Sequence, residues 1–226
     1  MLVHIPEVLS ATEAAECRRA LESAAWVDGR GTAGHLSAAV KDNAQLHWQD
    51  PTSQRLGAMI AERLRRNPLF LSAALPAQVL PPLFNRYRDG GRYGPHLDGA
   101  IRPVDGEDRR IRTDLSMTLW LSEPADYGGG ELKIADLAGG RTVKLAAGDA
   151  FLYPATSLHE VTPVTRGVRY AAFTWIQSLV RDDGERQVLL ELDAAILKLP
   201  PGETADVARL ELTNVYHTLL RRWADL

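Results

Sequence analysis

One of the six histidines in the chain stands next to a carboxylate at a spacing that could bind a metal. His96 lies in the sequence YRDGGRYGPHLDGA, and Asp98 follows two residues later. In a β-strand, residues two apart point to the same face, so an imidazole and a carboxylate would converge there. One nitrogen donor and one hard oxygen donor suit a divalent transition metal. This spacing predicts part of a metal site.

His159 is the best candidate for a third ligand. It follows the strand-like segment DAFLYPATSL, and it opens another β-rich run. Two histidines and one carboxylate leave three positions open on an octahedral metal, the arrangement of non-haem Fe(II) oxygenases. Catalytic zinc uses the same donors in a tetrahedral site with one open position. The three candidate ligands are His96, Asp98 and His159, which are called the triad below. Their donor types fit either iron or zinc, so they do not decide the identity of the metal.

Arg169 supplies a further clue to the chemistry. If Arg166-Gly167 forms a turn, we expect His159 and Arg169 on neighbouring antiparallel strands, with the guanidinium inside the same barrel as the metal. A buried arginine needs an anionic partner, because an unpaired buried charge is costly, and its planar fork suits a carboxylate. The partner is either an internal Asp or Glu, or a dicarboxylate cosubstrate that also chelates the metal. With a metal site nearby, the cosubstrate interpretation is favoured.

Other basic residues near the triad give weaker indications. His35 lies in the glycine-rich segment 29–46 and could reach the site, although a surface or hydrogen-bonded histidine is the commoner case. Several arginines flank the site and could attract an anionic substrate. They are Arg92, Arg102, Arg109, Arg110 and Arg112. For the segment 102–114, a solvated charged loop is the favoured interpretation.

A longer pattern connects these residues. It runs Tyr87-x-x-Gly90-x-x-Tyr93-x-x-His96-x-Asp98, then Gly129-Gly130-Glu131-Leu132, then Gly148-Asp149, His159, Arg169 and Trp175. In this pattern the chain resembles the iron(II)/2-oxoglutarate-dependent dioxygenases, within them the prolyl/lysyl-hydroxylase-like group. It is similar to the bacterial PKHD-type hydroxylases, which are associated with iron-siderophore uptake loci. The flanking sequences share the resemblance, so it spans nearly the whole chain.

The resemblance implies an α+β fold whose core is a double-stranded β-helix, a cupin-like jelly roll, with helices on both flanks. It implies that His96, Asp98 and His159 bind Fe2+ and that Arg169 binds the far carboxylate of 2-oxoglutarate.

The same resemblance implies roles for two aromatic residues and a reaction. Tyr87 would donate a hydroxyl hydrogen bond near the cosubstrate carboxylate, and Trp175 would form a wall of the same pocket. The implied reaction uses O2 and 2-oxoglutarate, hydroxylates a peptidyl or siderophore-like small-molecule substrate, and releases succinate and CO2. L-ascorbate is an expected auxiliary cofactor.

Two alternatives from other classes stay open. A cupin-like metal-dependent hydrolase or isomerase could use the same triad, but Arg169 and Tyr87 would then need another anionic partner. A non-catalytic iron or 2-oxoglutarate sensor would keep both sites and turn over nothing.

The elements that position these residues follow from local patterns. Short runs rich in β-branched and aromatic residues alternate with Gly, Pro and Asp clusters, which is typical of strands and turns. The strand candidates are LFNRYR, DLSMTLWL, GELKI, RTVKLA, DAFLYP and RYAAFTWIQSLV. Close spacing without intervening helices favours an antiparallel sandwich or barrel. We expect Gly128–Gly130 to form a bend or bulge rather than a phosphate-binding loop.

Three regions are expected along the chain. Residues 1–77 form a mainly helical support region, 78–180 the jelly-roll domain with the site, and 181–226 a C-terminal helical extension. In the first region, Ser10 and Glu13 have the spacing of a capping box.

Two local expectations concern the ends of helices and an irregular segment. A second N-terminal helix should follow Pro51, and the segment 29–46 should be a loop with one short strand. In the extension, Thr204 is expected as the N-cap of the last helix.

Composition excludes several classes of protein. The 226 residues carry 26 Lys and Arg against 29 Asp and Glu, a net charge of −3, so no nucleic-acid or anionic membrane partner is expected. A single cysteine, Cys17, excludes an intramolecular disulfide and a cysteine-rich zinc site. No secretory signal or apolar membrane span is apparent, so a cytoplasmic location is expected. The apolar residues of the tail predict a homodimer.

Overall fold

The helices and strands below come from a computed structural model, which describes residues 1–32, 35–135 and 140–226. The α-helices are α1 (Ala11–Glu22), α2 (His35–Ala38), α3 (Pro51–Arg66), α4 (Pro68–Ala74), α5 (Asp183–Leu197) and α6 (Glu203–Trp223). The strands before the site are β1 (Val3–Ile5), β2 (Trp26–Asp28), β3 (Lys41–Asp42), β4 (Ala44–Leu46), β5 (Pro76–Val79) and β6 (Leu83–Tyr87). The remaining strands are β7 (Arg92–His96), β8 (Ile101–Pro103), β9 (Arg110–Arg112), β10 (Leu115–Trp120), β11 (Tyr127–Gly129), β12 (Leu132–Ile134), β13 (Arg141–Val143), β14 (Ala150–Pro154), β15 (His159–Val161), β16 (Val164–Gly167) and β17 (Arg169–Ser178).

Two larger antiparallel sheets form the jelly-roll core. In the described part of the chain, the larger sheet has eight strands in the order β1-β14-β10-β17-β6-β4-β2, with β5 also paired to β17. The smaller sheet has five strands in the order β13-β12-β15-β7-β3. The pairs β8–β9 and β11–β16 form two further ribbons. The expected α+β class and the jelly roll are confirmed.

A first hydrophobic core fills the space between the two sheets. The larger sheet contributes Tyr87, Trp120 and Tyr153, and the smaller sheet contributes Leu132 and Val161. All five side chains are buried. Because side chains from both sheets pack together there, the sheets face each other and enclose the interior of the barrel.

A second core lies on the outer face of the larger sheet. Strand β10 shows the alternation that creates it. Leu115, Met117 and Leu119 pack with helices α1, α3 and α4, whereas Ser116 and Thr118 line the cleft inside the barrel. Since both faces of β10 are covered, every residue of this strand is buried. The helices thus support the sheet that carries part of the site.

The N-terminal region is more closely built into the barrel than the sequence predicts. The capping box of Ser10 and Glu13 is confirmed, and α3 begins at Pro51 as expected. The expectation of one short strand in the segment 29–46 is wrong, because β3 and β4 both lie there. β3 extends the smaller sheet beside β7, and β4 extends the larger sheet beside β6. Two-residue and three-residue strands have too few residues to show a period, so the sequence hides them.

The C-terminal helices pack against the N-terminal region. Leu189 of α5 is buried with Leu75 at the end of α4 and with Val180, and residues of α6 cover this cluster. The expected N-cap Thr204 is wrong, because α6 begins at Glu203 with Gly202 at the cap position. In the part of the chain that the structure describes, no helix has the length and apolar character needed to cross a membrane.

The glycine run at Gly128–Gly130 forms the expected irregularity. The register between β11 and β16 shifts between Gly128 and Gly129. Gly129 and Gly130 both have a φ of +67°, a conformation that L side chains rarely adopt. A Cβ on Gly130 would lie 2.9 Å from Cε2 of Tyr127 and 3.0 Å from Cδ of Arg169. The bend therefore brings backbone against the buried arginine.

Candidate metal centre

The triad assembles where β7 meets β15. His96 ends β7, His159 begins β15, and the two residues are register partners in the smaller sheet. Asp98 lies two residues past the end of β7, so the expectation that His96 and Asp98 share one strand face is wrong. Asp98 belongs to the irregular segment that follows β7. One ligand atom from each residue nevertheless lies within 4.8 Å of the other two.

Hydrogen bonds fix the orientation of both imidazoles. Nδ1 of His96 lies 2.8 Å from the carbonyl oxygen of Gly94, and Nδ1 of His159 lies 2.9 Å from that of Ser157. A carbonyl only accepts, so each Nδ1 carries the proton and each Nε2 keeps its lone pair. This is the usual arrangement of histidines that bind a metal through Nε2.

The carboxylate is held in the same way. The Ser116 hydroxyl donates to Oδ2 of Asp98 at 2.6 Å, and this oxygen lies 3.8 Å from Nε2 of His159. Ser116 comes from β10 in the larger sheet, so the hydrogen bond crosses the barrel. All three candidate ligands thus have a supporting partner besides each other.

The surroundings keep the imidazole of His96 neutral. Burial, and to a smaller extent the neighbouring His159, lower the pKa of His96 to about 4. The ring of Tyr93 stacks on that of His96 with centroids 3.5 Å apart. A neutral imidazole offers its lone pair at neutral pH, which a protonated one cannot do. Two imidazole nitrogens and one carboxylate oxygen therefore fit a divalent transition metal.

Arg169 is fully buried and has no hydrogen-bond or ion-pair partner in the part of the chain that the structure describes. Its side chain is 0% exposed, and none of its three guanidinium nitrogens has a hydrogen-bond partner among the described residues. The guanidinium carbon lies 5.3 Å from the Tyr87 ring centre and 5.5 Å from that of Trp120. The internal salt bridge that the sequence left open is thus absent from the described part of the chain. A buried cation without a partner indicates a site for an anion.

The position of Arg169 differs from the expected one. His159 lies in the smaller sheet, whereas Arg169 begins β17 in the larger sheet and is the register partner of Tyr87. The expectation of neighbouring strands is wrong because β16 lies between them in sequence and pairs with β11. The imidazole and the guanidinium face the barrel interior from opposite sheets.

Several other buried polar atoms also lack hydrogen-bond partners among the described residues, and two of the side chains, Trp120 and Tyr127, lie near Arg169. These atoms are Nδ2 and Oδ1 of Asn43, Oδ1 of Asn85, Nε1 of Trp120 and the hydroxyl of Tyr127. Together with Arg169, these four residues are called the polar floor below. Buried polar groups are normally satisfied, so a cluster of unsatisfied ones calls for a missing partner. The donors outnumber the acceptors, which matches the oxygens of a carboxylate.

Tyr87 connects the polar floor with the triad. It is buried, its hydroxyl lies 3.5 Å from Nδ2 of Asn85, and it lines the cleft that contains His96, Asp98 and His159. Burial raises the pKa of Tyr87 to about 12, so the hydroxyl keeps its proton and can donate.

Trp175 lies at the opposite end of β17 from Arg169. They are six residue steps apart, which corresponds to roughly 20 Å along a strand. Trp175 lines the cleft, and the guanidinium of Arg102 stacks on its ring at 3.6 Å. Its placement as a wall of the cosubstrate pocket stays a prediction. The side chain of His35 lies outside the part of the chain that the structure describes, so its contact with the site also stays a prediction.

Comparisons with known proteins agree with this geometry. Residues 82–177 match the 2OG-Fe(II) oxygenase superfamily, and residues 183–225 match the PKHD-type hydroxylase C-terminal domain. The chain is 55% identical over 226 residues to a PKHD-type hydroxylase of Bordetella pertussis, with 100% of both chains covered. It is 51% identical over 226 residues to the PKHD-type hydroxylase PiuC of Pseudomonas aeruginosa, again with 100% of both covered. The chain belongs to the PKHD-type hydroxylases.

A solved structure supports the fold of this PKHD-type hydroxylase. The crystal structure of a Pseudomonas putida prolyl-4-hydroxylase aligns with a TM-score of 0.50 and 24% identity. The alignment covers 78% of this chain and 92% of that one.

Family membership decides between the metals that the triad left open. This PKHD-type hydroxylase is a 2-oxoglutarate-dependent enzyme, and its metal is Fe2+, with O2 as the oxidant. The His96, Asp98 and His159 donor set fits that assignment.

The sequence did not point to every residue that matters in this interior. Ser116 and the floor residues Asn43, Asn85, Trp120 and Tyr127 carry no spacing signal, because each is an ordinary residue of a strand or turn. Only the closure of the barrel shows that their polar atoms converge.

Proposed function

We propose that this PKHD-type hydroxylase binds Fe(II) through His96, Asp98 and His159 and hydroxylates a C–H bond of its substrate. 2-Oxoglutarate is converted to succinate and CO2 in the same turnover. The substrate is a peptidyl group or a siderophore-like small molecule, and the activity serves iron uptake. Relatives at 55% and 51% identity that are named PKHD-type hydroxylases support the reaction class.

Arg169 is the observation that carries the proposal. A fully buried guanidinium without a protein partner needs an anion, and the polar floor adds further donors. A dicarboxylate that reaches from the floor to the triad would satisfy both. A hydrolase or isomerase would need another anionic partner for Arg169, and no described residue supplies one.

The residues of the chain divide the work of such a reaction. When bound, Fe(II) would supply the redox chemistry that activates O2. Arg169 binds the far carboxylate of 2-oxoglutarate through its fork, and Tyr87 donates a hydrogen bond to the same group. Trp175 bounds the pocket. The two facing sheets exclude bulk water, which protects a reactive centre from side reactions.

Anaerobic spectroscopy tests the metal assignment. Fe(II) plus 2-oxoglutarate should give a visible charge-transfer band in the wild type, and His96→Ala or His159→Ala should abolish it. His217→Ala is the matched control, because His217 is exposed on α6. A band of full strength in either triad variant would remove that residue from the site.

Turnover measurements separate the enzyme from a sensor. The wild type should form succinate and consume O2, whereas a sensor would bind 2-oxoglutarate without either. Added L-ascorbate should prolong turnover by keeping the iron reduced. Comparative mass spectrometry of cell extracts treated with wild type or His96→Ala would reveal the hydroxylated product as a mass gain of one oxygen.

The wider setting is also a proposal. We place the enzyme in the cytoplasm, as a domain of residues 78–180 supported by regions 1–77 and 181–226. We also propose a homodimer that involves α6, where Val207 is 55% exposed and Leu210 is 73% exposed. Light scattering at micromolar concentration checks this, and a strict monomer would contradict it.

A further inference from the structure

Arg102 differs from the other arginines around the cleft. It lies on β8, it is half-buried, and it lines the same cleft as the triad. Its guanidinium carbon lies 3.6 Å from the ring centre of Trp175. Among the described residues, it forms neither a hydrogen bond nor an ion pair. Its donors are therefore available to a ligand in the cleft.

The neighbouring arginines on the same hairpin have other roles. Arg109 pairs with Glu107 at 2.9 Å, and Arg112 pairs with Asp114 at 2.6 Å. Arg110 is exposed and does not line the cleft. The expectation of one uniform solvated loop over 102–114 is therefore wrong, because the hairpin directs Arg102 alone of these four into the cleft.

If the proposed function is correct, the charges of the cleft with Fe(II) and 2-oxoglutarate bound can be added, and they leave no anion for Arg102. The two charges of Fe(II) and the one of Arg169 are balanced by Asp98 and by the two carboxylates of 2-oxoglutarate. Arg102 forms no ion pair with any described residue, and Asp105 acts on its charge only at longer range. With Fe(II) and 2-oxoglutarate bound, the guanidinium of Arg102 is therefore still without a directly paired anion in the cleft.

Burial removes water from the charged guanidinium of Arg102 and so destabilises its charged form. It lowers the pKa of Arg102 from its ordinary value, which means that the charged form is incompletely solvated. An anion beside the guanidinium would restore that stabilisation. One planar fork matches the two oxygens of a carboxylate, whereas a phosphate dianion would leave a second negative charge unmatched.

Apolar surface adjoins the guanidinium. Leu97, between two members of the triad, is 56% exposed and lines the cleft. Phe173 lines the cleft and meets Trp175 edge to face, with ring centroids 5.3 Å apart. A ligand that places its charge on Arg102 would therefore lay an uncharged body against these side chains.

We propose that Arg102, stacked on Trp175, binds a carboxylate of the substrate and that the enzyme acts on carboxylic acids with an apolar body. The carboxylate sits on the open side of the cleft, and the apolar body extends past Leu97 toward the triad. Trp175 then also orients the guanidinium of Arg102.

A matched pair of probes tests this without knowledge of the natural substrate. 4-Phenylbutyrate and its amide have the same shape and differ in charge. Each is titrated calorimetrically into the anaerobic Fe(II)–2-oxoglutarate complex of wild type, Arg102→Gln, Arg102→Lys and Arg110→Gln. The last variant removes one positive charge from the same hairpin outside the cleft.

The wild type should bind the acid at least 10-fold more tightly than the amide. Arg102→Gln should abolish the preference and leave 2-oxoglutarate affinity unchanged, Arg102→Lys should recover part of it, and Arg110→Gln should keep it. A wild type that binds both probes alike, or neither, would overturn the proposal. So would an Arg102→Gln variant that keeps the preference or that weakens 2-oxoglutarate to the same extent.

Failure of the proposed function would look different. In that case 2-oxoglutarate itself would not bind to the iron-loaded wild type, and the same calorimeter records this before either probe is added.

Discussion

The triad and the polar floor lie in one barrel, but their polar groups differ in how far the protein satisfies them. At the triad, both imidazole Nδ1 atoms donate to backbone carbonyls, and Asp98 accepts from Ser116. At the floor, Arg169 and its neighbours have no partners in the described part of the chain. The first region is organised before an ion arrives. The second stays unsatisfied until an anion binds.

This difference gives metal binding at the triad and cosubstrate binding at the floor different energetic consequences for the protein. The triad loses little order when it takes up a metal, because its ligand orientations are already fixed. The floor carries an unpaired buried charge in the free protein, and such a charge destabilises the fold. Cosubstrate binding should therefore stabilise the protein strongly, and a substitution that removes the charge of Arg169 should raise stability while it lowers affinity for 2-oxoglutarate.

Removal of the Arg169 charge should have the largest effect on this contrast. Arg169→Ala should weaken 2-oxoglutarate binding by roughly 2–5 kcal/mol, the usual cost of removing one member of a buried charge pair. Iron binding should stay nearly intact. Arg169→Lys should recover only part of the affinity, because an ammonium keeps the charge but loses the fork. Calorimetric titration into anaerobic protein measures both.

Arg169→Met sharpens the same point through stability. Without 2-oxoglutarate, this variant should unfold with a free energy about 1–4 kcal/mol above that of wild type, because a buried unpaired charge is replaced by an apolar chain of similar length. Melting curves with and without 2-oxoglutarate check the sign. Lower stability together with normal 2-oxoglutarate affinity would mean that Arg169 is a structural residue.

Gly130→Ala should have an intermediate effect at the floor. Its φ of +67° and the 3.0 Å approach of a Cβ to Cδ of Arg169 predict both strain and a displaced guanidinium. We expect the free energy of unfolding to fall by about 1–3 kcal/mol and 2-oxoglutarate to bind more weakly. Denaturant unfolding and calorimetry measure the two effects.

Gly129→Ala is the matched control for that variant. A Cβ on Gly129 would lie 2.0 Å from the carbonyl oxygen of Pro163. Its three nearest atoms belong to Pro163 and Thr165, and none belongs to Arg169. The variant should lower stability at least as much, while the folded fraction keeps wild-type affinity for 2-oxoglutarate. Equal losses of affinity in both variants would mean that only general strain is at work.

Ser116→Ala should have the smallest effect, at the triad. Loss of the hydroxyl that donates to Asp98 should weaken Fe(II) binding about tenfold, the low end for removing a hydrogen bond to a metal ligand. Ser116→Thr keeps the hydroxyl and should retain most of the affinity. Anaerobic metal titration measures this, and unchanged affinity in Ser116→Ala would show that Asp98 is held by other means.

The sequence predicted the triad for a reason that was partly wrong. The spacing of His96 and Asp98 indicated convergence, but Asp98 lies in the irregular segment after β7 rather than on the same strand face. His159 and Arg169 were expected on adjacent strands and instead come from opposite sheets. Residue types and spacing captured the donor set because donor chemistry is local, whereas sheet partners depend on the whole topology.

The floor and Arg102 show what sequence patterns cannot reach. Trp120 and Tyr127 appear as ordinary β-formers, and their unsatisfied atoms become visible only after the barrel closes. Arg102 and Arg110 lie on opposite faces of the β8–β9 hairpin, and only the face of Arg102 is turned toward the cleft. Burial is a tertiary property, so composition and periodicity treat such residues alike.

The pairing of His96 with His159 has a consequence for the kinetics of folding. These register partners are far apart in the chain, so the smaller sheet must close a long loop before both ligands meet. The ion-binding geometry therefore forms after most strand pairing is complete. Interactions absent from the transition state slow unfolding and leave the folding rate unchanged. Fe(II) should accordingly lengthen the lifetime of the native barrel without helping the chain to reach it.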